Sequence, residues 1–160
     1  MGVRSEPVKK CALLHLVNVR AQVDPPMSKH NFGNVIWQSR ANPGAGDDGA
    51  EVVRKMRDAV NAVDGGYVAG LKGGDNFMEE NAGLVCDEGV VCLGFTSLVG
   101  FPFHEVDFEF GKPVWVGLGW FPLMNTVYFR DANFGGIEVL IVLSKHDMEK
   151  FQESFFMSKL

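Results

Sequence analysis

The chain has 160 residues, 46% hydrophobic and 22% charged, and its 15 basic and 20 acidic side chains leave a net charge of -5. This balance excludes a disordered chain and the broad basic face of a nucleic-acid binder. No apolar run reaches the roughly 18 residues of a membrane span, and Gly100, Pro102, Pro113 and Pro122 interrupt the most apolar stretch.

The length fits one domain, 1–160, able to bury a core without staples. Residues 1–10 are polar and read as a loose lead-in with no signal-peptide pattern behind it. The apolar run 11–20 predicts a buried strand, broken by Asp24-Pro25-Pro26. Residues 31–38 predict a short strand behind a turn at Gly33, and 42–49 a loop. Over 50–63, Val52, Val53, Met56, Ala59, Val60 and Val63 recur at helical spacing, and Asp48 stands three residues before Glu51 as in a capping box. Gly65-Gly66 ends or interrupts that helix; Tyr67 to Leu71 resumes for a turn, and Gly73-Gly74 stops it.

Strands are predicted over 90–97, 113–119, 126–130 and 137–143. The last is apolar at both parities except at Glu138, which predicts burial on both faces. Ser144 caps a final helix with Asp147 at its third position, and Met148, Phe151 and Phe155 form a stripe along it. The three cysteines, Cys11, Cys86 and Cys92, are odd in number and contain no C-x-x-C pair, so free thiols and a cytoplasmic location are expected.

Metal chemistry is not expected. His15, His30, His104 and His146 show no two-histidine spacing and none neighbours a cysteine. Gly117-Leu118-Gly119 lacks the third glycine of a nucleotide loop, and no nucleophile elbow is present. Ser97 and Thr96 end a strand, where a hydroxyl could act. Arg20 closes one apolar strand and Asp107 lies within the apolar segment FHEVDFEF. Charges in such surroundings need partners, so a salt bridge between Arg20 and Asp107 is expected.

Asp107-Phe108-Glu109-Phe110-Gly111-Lys112-Pro113 resembles the D-F-G-W-G-K-P signature of the plant BAHD acyltransferases. LLHLVNVRAQVDPPMSKHNFGNVIW resembles that family's N-x-R strand and Pro-Pro turn, LGFTSLVGFPF its T-S-W strand, and FGGIEVLIVLSKHDMEKFQ its closing strand and helix. The resemblance runs from about residue 11 to 156. It implies an α/β fold, a mixed sheet with flanking helices like that of chloramphenicol acetyltransferase, here as the C-terminal domain of a two-domain enzyme. It implies transfer of an acyl group from acyl-CoA, as cosubstrate with no bound cofactor, to a hydroxyl or amine of a plant secondary metabolite.

The family's base is the His of an H-x-x-x-D motif in the N-terminal domain; no histidine here is followed by Asp four residues on. The resemblance therefore implies a C-terminal half without its own catalytic base, inactive alone, with Met1 an internal or mispredicted start. The alternative is an inactive remnant or a non-enzymatic modulator that binds a full-length relative. Arg20, Asp107, Phe108, Gly111, Lys112 and Pro113 map onto structural motif positions, with Arg20 pairing Asp107. Thr96 maps onto a residue that holds the oxyanion or lines the tunnel, and Leu98 replaces a Trp of the acceptor wall. Glu109 and Phe110 replace a Gly and a Trp; if that Gly has positive φ, Glu109 is strained. The implied partners are the missing N-terminal half, acyl-CoA and a small-molecule acceptor, without nucleic acid or membrane, and with self-association through exposed apolar surface.

Overall fold

The computed structural model describes residues 10–71, 89–119, 124–133 and 135–157. The lead-in, the Gly73-Gly74 stop and Cys86 lie outside the described residues. Among the described residues the strands and α-helices run in the order β1 Lys10–Asn18, β2 Ile36–Ala41, α1 Gly49–Asn61, α2 Gly65–Gly70, β3 Val90–Ser97, β4 Thr126–Asp131, β5 Ile137–Val142 and α3 Lys145–Met157. The strand order is β2-β1-β3-β4-β5. The chain divides into two units, Met1–Gly94 and Phe95–Leu160.

In the first unit, β1 and β2 form an antiparallel ladder in which Leu13 faces Ala41 and Asn18 faces Ile36. Gly33, at φ 130°, makes the preceding turn, which is why β2 starts at Ile36 and not at Asn31. Asp48 caps α1 by accepting a hydrogen bond from the Glu51 amide at 2.8 Å. The helix packs on β2 and β1, but Val53 is exposed, so the expected stripe is narrower. Asp64 then caps α2 by accepting from the Tyr67 amide at 2.8 Å. The helical pattern thus breaks after Asn61 and resumes for a short helix, as expected, with the glycine pair forming the first positions of the resumed helix. The core is Val19, Trp37 and Val63, with Val17, Val35, Val68 and Leu71 packed around them. Trp37 Nε1 donates to Tyr67 Oη at 3.2 Å, and the two rings meet edge to face at 6.0 Å.

In the second unit, β4 and β5 form an antiparallel hairpin over Gly135 and Gly136, both with positive φ. Phe95 stacks on Phe129 at 6.4 Å. Ser144 Oγ accepts from the Asp147 amide at 3.1 Å and caps α3. Three expectations change. β5 is exposed, with Ile137, Val139 and Leu140 each about half accessible, because among the described residues its one extensive neighbour is β4, beside it in the sheet, which covers neither face. Residues 113–119 form no strand: Pro113 has no N–H to give to a ladder. Cys92 is in a disulfide, whereas Cys11 is a free thiol whose pKa burial pushes up. Among the described residues, no helix is long and apolar enough to cross a membrane.

Candidate functional site

The second unit contains an apolar cavity of about 410 Å³. Strand alternation dictates its floor. Thr96 and Leu98 are two residues apart and share one side of the β3 line; Phe95 lies on the other, stacked on Phe129. The Leu98 amide donates to the Phe129 carbonyl at 2.8 Å, and the Gly100 amide to Asp131 Oδ2 at 2.7 Å, fixing the chain as it leaves β3. The hairpin register sets Tyr128 opposite Leu140 and Arg130 opposite Glu138. All four line the cavity with Leu98, and the segment through Trp115 and Leu118 closes another side.

Arg130 ties these parts together. Its Nε and one terminal nitrogen donate to Glu138 Oε2 at 2.7 and 2.6 Å, and the other terminal nitrogen donates to the Val116 carbonyl. The arginine thus holds the 113–119 segment against the hairpin. The Trp115 ring fills the space that a Cβ on Gly117 would take. Tyr128 is buried, which pushes its phenol pKa up. Arg130, Glu138 and Tyr128 were not singled out from the sequence, although a hairpin over Gly135-Gly136 puts residues 130 and 138 across from each other.

Thr96 is half-buried, and among the described residues its hydroxyl makes no hydrogen bond. The signature segment is a turn organised by Asp107, whose Oδ1 accepts from the amides of Glu109 at 2.8 Å and Gly111 at 3.0 Å. Lys112 pairs with Glu105. Phe108 and Phe110 are exposed. Arg20 lies in the other unit, donating to the carbonyls of Asn31 at 3.1 Å and Gly33 at 2.5 Å and to Asn18 Oδ1 at 3.2 Å. Among the described residues, no three His, Cys, Asp or Glu side chains form a metal-binding group.

Glu109 adopts φ 72° and Gly111 φ 91°. A side chain in the left-handed region costs about 1–2 kcal/mol, so Glu109→Gly is expected to raise unfolding stability by about 1 kcal/mol. A urea melt showing an unchanged or lower midpoint would contradict this.

The family model described as "Transferase family" matches residues 2–157. The chain belongs to this family of BAHD-like plant acyl-CoA acyltransferases. Limonoid 7-O-acetyltransferase of Citrus sinensis is 31% identical over 160 residues, covering 90% of this chain and 34% of that one. The crystal structure of vinorine synthase matches with TM-score 0.66 at 23% identity, covering 88% of this chain and 33% of that one. TRI101 of F. sporotrichioides, solved with coenzyme A and T-2, matches with TM-score 0.60 at 20% identity, covering 90% and 39% respectively. The chain therefore spans about a third of the length of these relatives. The two solved structures establish the BAHD-like fold, a mixed sheet with flanking helices.

Proposed function

We propose that this BAHD-like chain is the C-terminal domain part of an acyl-CoA-dependent O-acyltransferase and forms one wall of its acyl-transfer site. The observation that carries the reading is the uncommitted, half-buried Thr96 hydroxyl on the strand side that leads to the apolar cavity through Leu98. In the reaction, an acceptor hydroxyl oxygen bonds to the thioester carbon and the C–S bond then breaks. The hydroxyl proton passes to a base and on to the departing thiolate of CoA. Thr96 Oγ1 donates a hydrogen bond to the carbonyl oxygen as it gains charge. The base comes from the N-terminal portion, because no H-x-x-x-D occurs in these 160 residues. Arg20, Asp107, Phe108, Gly111, Lys112 and Pro113 are structural in this reading, Asp107 by holding the signature turn.

The partners are the N-terminal portion, acyl-CoA and a small acceptor alcohol or amine, with acetyl as the first acyl group to try because the Citrus relative is an acetyltransferase. The exposed Phe108, Phe110 and Trp115 support self-association when that portion is missing. The free Cys11 fits a cytoplasmic setting, and the Cys92 disulfide runs against it. A second reading, a non-enzymatic modulator, is favoured by the absent base.

The test joins this chain to the N-terminal two thirds of the Citrus sinensis limonoid 7-O-acetyltransferase and follows acetyl transfer. Activity is expected, and Thr96→Val should lower kcat by about 10²-fold with KM little changed, the size of one oxyanion donor. A joined protein that is folded but inactive would favour the modulator. An active one insensitive to Thr96→Val would remove Thr96 from the reaction.

A further inference from the structure

The cavity beside β4 and β5 has a chemical preference built into its wall. Its volume, about 410 Å³, lies in the size range of small-molecule sites. Most of its lining is apolar, contributed by residues such as Leu98, Trp115, Val116 and Leu140. The charged side chains in the lining are Arg130 and Glu138, and they are spent on each other at 2.6 Å. The guanidinium nitrogen that does not face Glu138 is held by the Val116 carbonyl. A ligand anion would have to displace Glu138 from Arg130, and a ligand cation would meet the guanidinium with its counter-charge already engaged. Neither gains a free partner for the water it loses on entry.

We propose that this cavity takes a neutral, apolar ring system and that the Arg130–Glu138 pair sets the preference by leaving no net charge in the wall. This rests on the reading above only in taking the occupant to be the acceptor substrate. The occupant is a small molecule because the cavity is bounded on several sides, by the hairpin, by Leu98 and by the segment that Arg130 holds down. The pair acts as a specificity element, and its effect is readable without any acyl transfer.

The experiment uses two dyes with the same ring system, neutral N-phenyl-1-naphthylamine and its anionic relative 1-anilinonaphthalene-8-sulfonate, titrated by fluorescence into the purified chain. The neutral dye is expected to bind with a Kd about tenfold below that of the sulfonate, a margin of about 1.4 kcal/mol. Leu140→Gln, in the cavity wall, should weaken the neutral dye by about fivefold or more, as expected for loss of apolar contact. Ile137→Gln, exposed on the same strand and outside the cavity lining, should leave it unchanged. Glu138→Gln releases the Arg130 charge and should close the gap between the dyes by about tenfold, the effect of unmatching one charge. Circular dichroism checks that each variant folds; if Leu140→Gln does not, Val139→Gln replaces it. Equal binding of both dyes by the native chain would overturn the proposal, as would a preference that survives Glu138→Gln. Dye binding that depends equally on Ile137 would place the site elsewhere and overturn it too. Loss of activity in the joined enzyme leaves these readouts untouched, so the two readings fail separately.

Discussion

Given acetyl-CoA and a panel of alcohols, the purified chain is expected to release CoA no faster than buffer does. A hydroxyl is a poor nucleophile until a base within hydrogen-bond reach takes its proton. None of the four histidines has an Asp four residues on or lines the cavity. His15 is in β1, where burial lowers its pKa, and His30 is in an exposed loop. His104 has both ring nitrogens shielded from solvent and, among the described residues, without a hydrogen bond. His146 is exposed in the first turn of α3. Losing a general base costs about 10²–10⁴-fold, and missing the partner surface that positions the substrates adds to it. A thiol-trapping assay for free CoA, with ester detected by mass spectrometry, decides the matter. Ester formed well above the uncatalysed rate would mean that the chain carries a base of its own.

The largest single effect on folding is expected at Trp37. Its side chain is 4% exposed, sits between Val19 and Val63 and donates to Tyr67 on α2. Trp37→Ala removes the packing and the hydrogen bond together and should cost about 3–5 kcal/mol, in line with other large-to-small core changes. Trp37→Phe keeps most of the ring contact and leaves Tyr67 to water, so about 1–2 kcal/mol is expected. Denaturant unfolding measures both. A loss below about 1 kcal/mol for Trp37→Ala, the size of an ordinary surface-to-intermediate change, would show that the Val19–Trp37–Val63 cluster is not the centre of this unit.

What the sequence made legible was mostly local. Asp48 and Ser144 announce helix starts because a cap is a bond between a side chain and an amide three residues on, with nothing distant involved. The glycine of the resembled signature pointed to a positive φ at Glu109, and the turn that Asp107 folds around itself accounts for it. What depended on neighbours was harder to read. The apolar run in β5 has the pattern of a doubly covered strand, and its exposure follows from having β4 beside it and no extensive packing of a described element on its faces. The partners that Arg20 and Asp107 find within their own units, the carbonyls of Asn31 and Gly33 and the amides of Glu109 and Gly111, cannot be seen until the backbone has turned. The cavity was invisible for a related reason: its wall draws on β4, β5 and a segment more than ten residues upstream, joined by one arginine.

Gly117 gives the cavity an evolutionary handle. The Trp115 ring occupies the volume that any side chain at 117 would need. Every missense change in that one codon therefore forces the indole to move, while the ladders of the sheet, which involve neither residue, keep their register. A single substitution at 117 therefore changes the shape of the cavity wall that Trp115 forms.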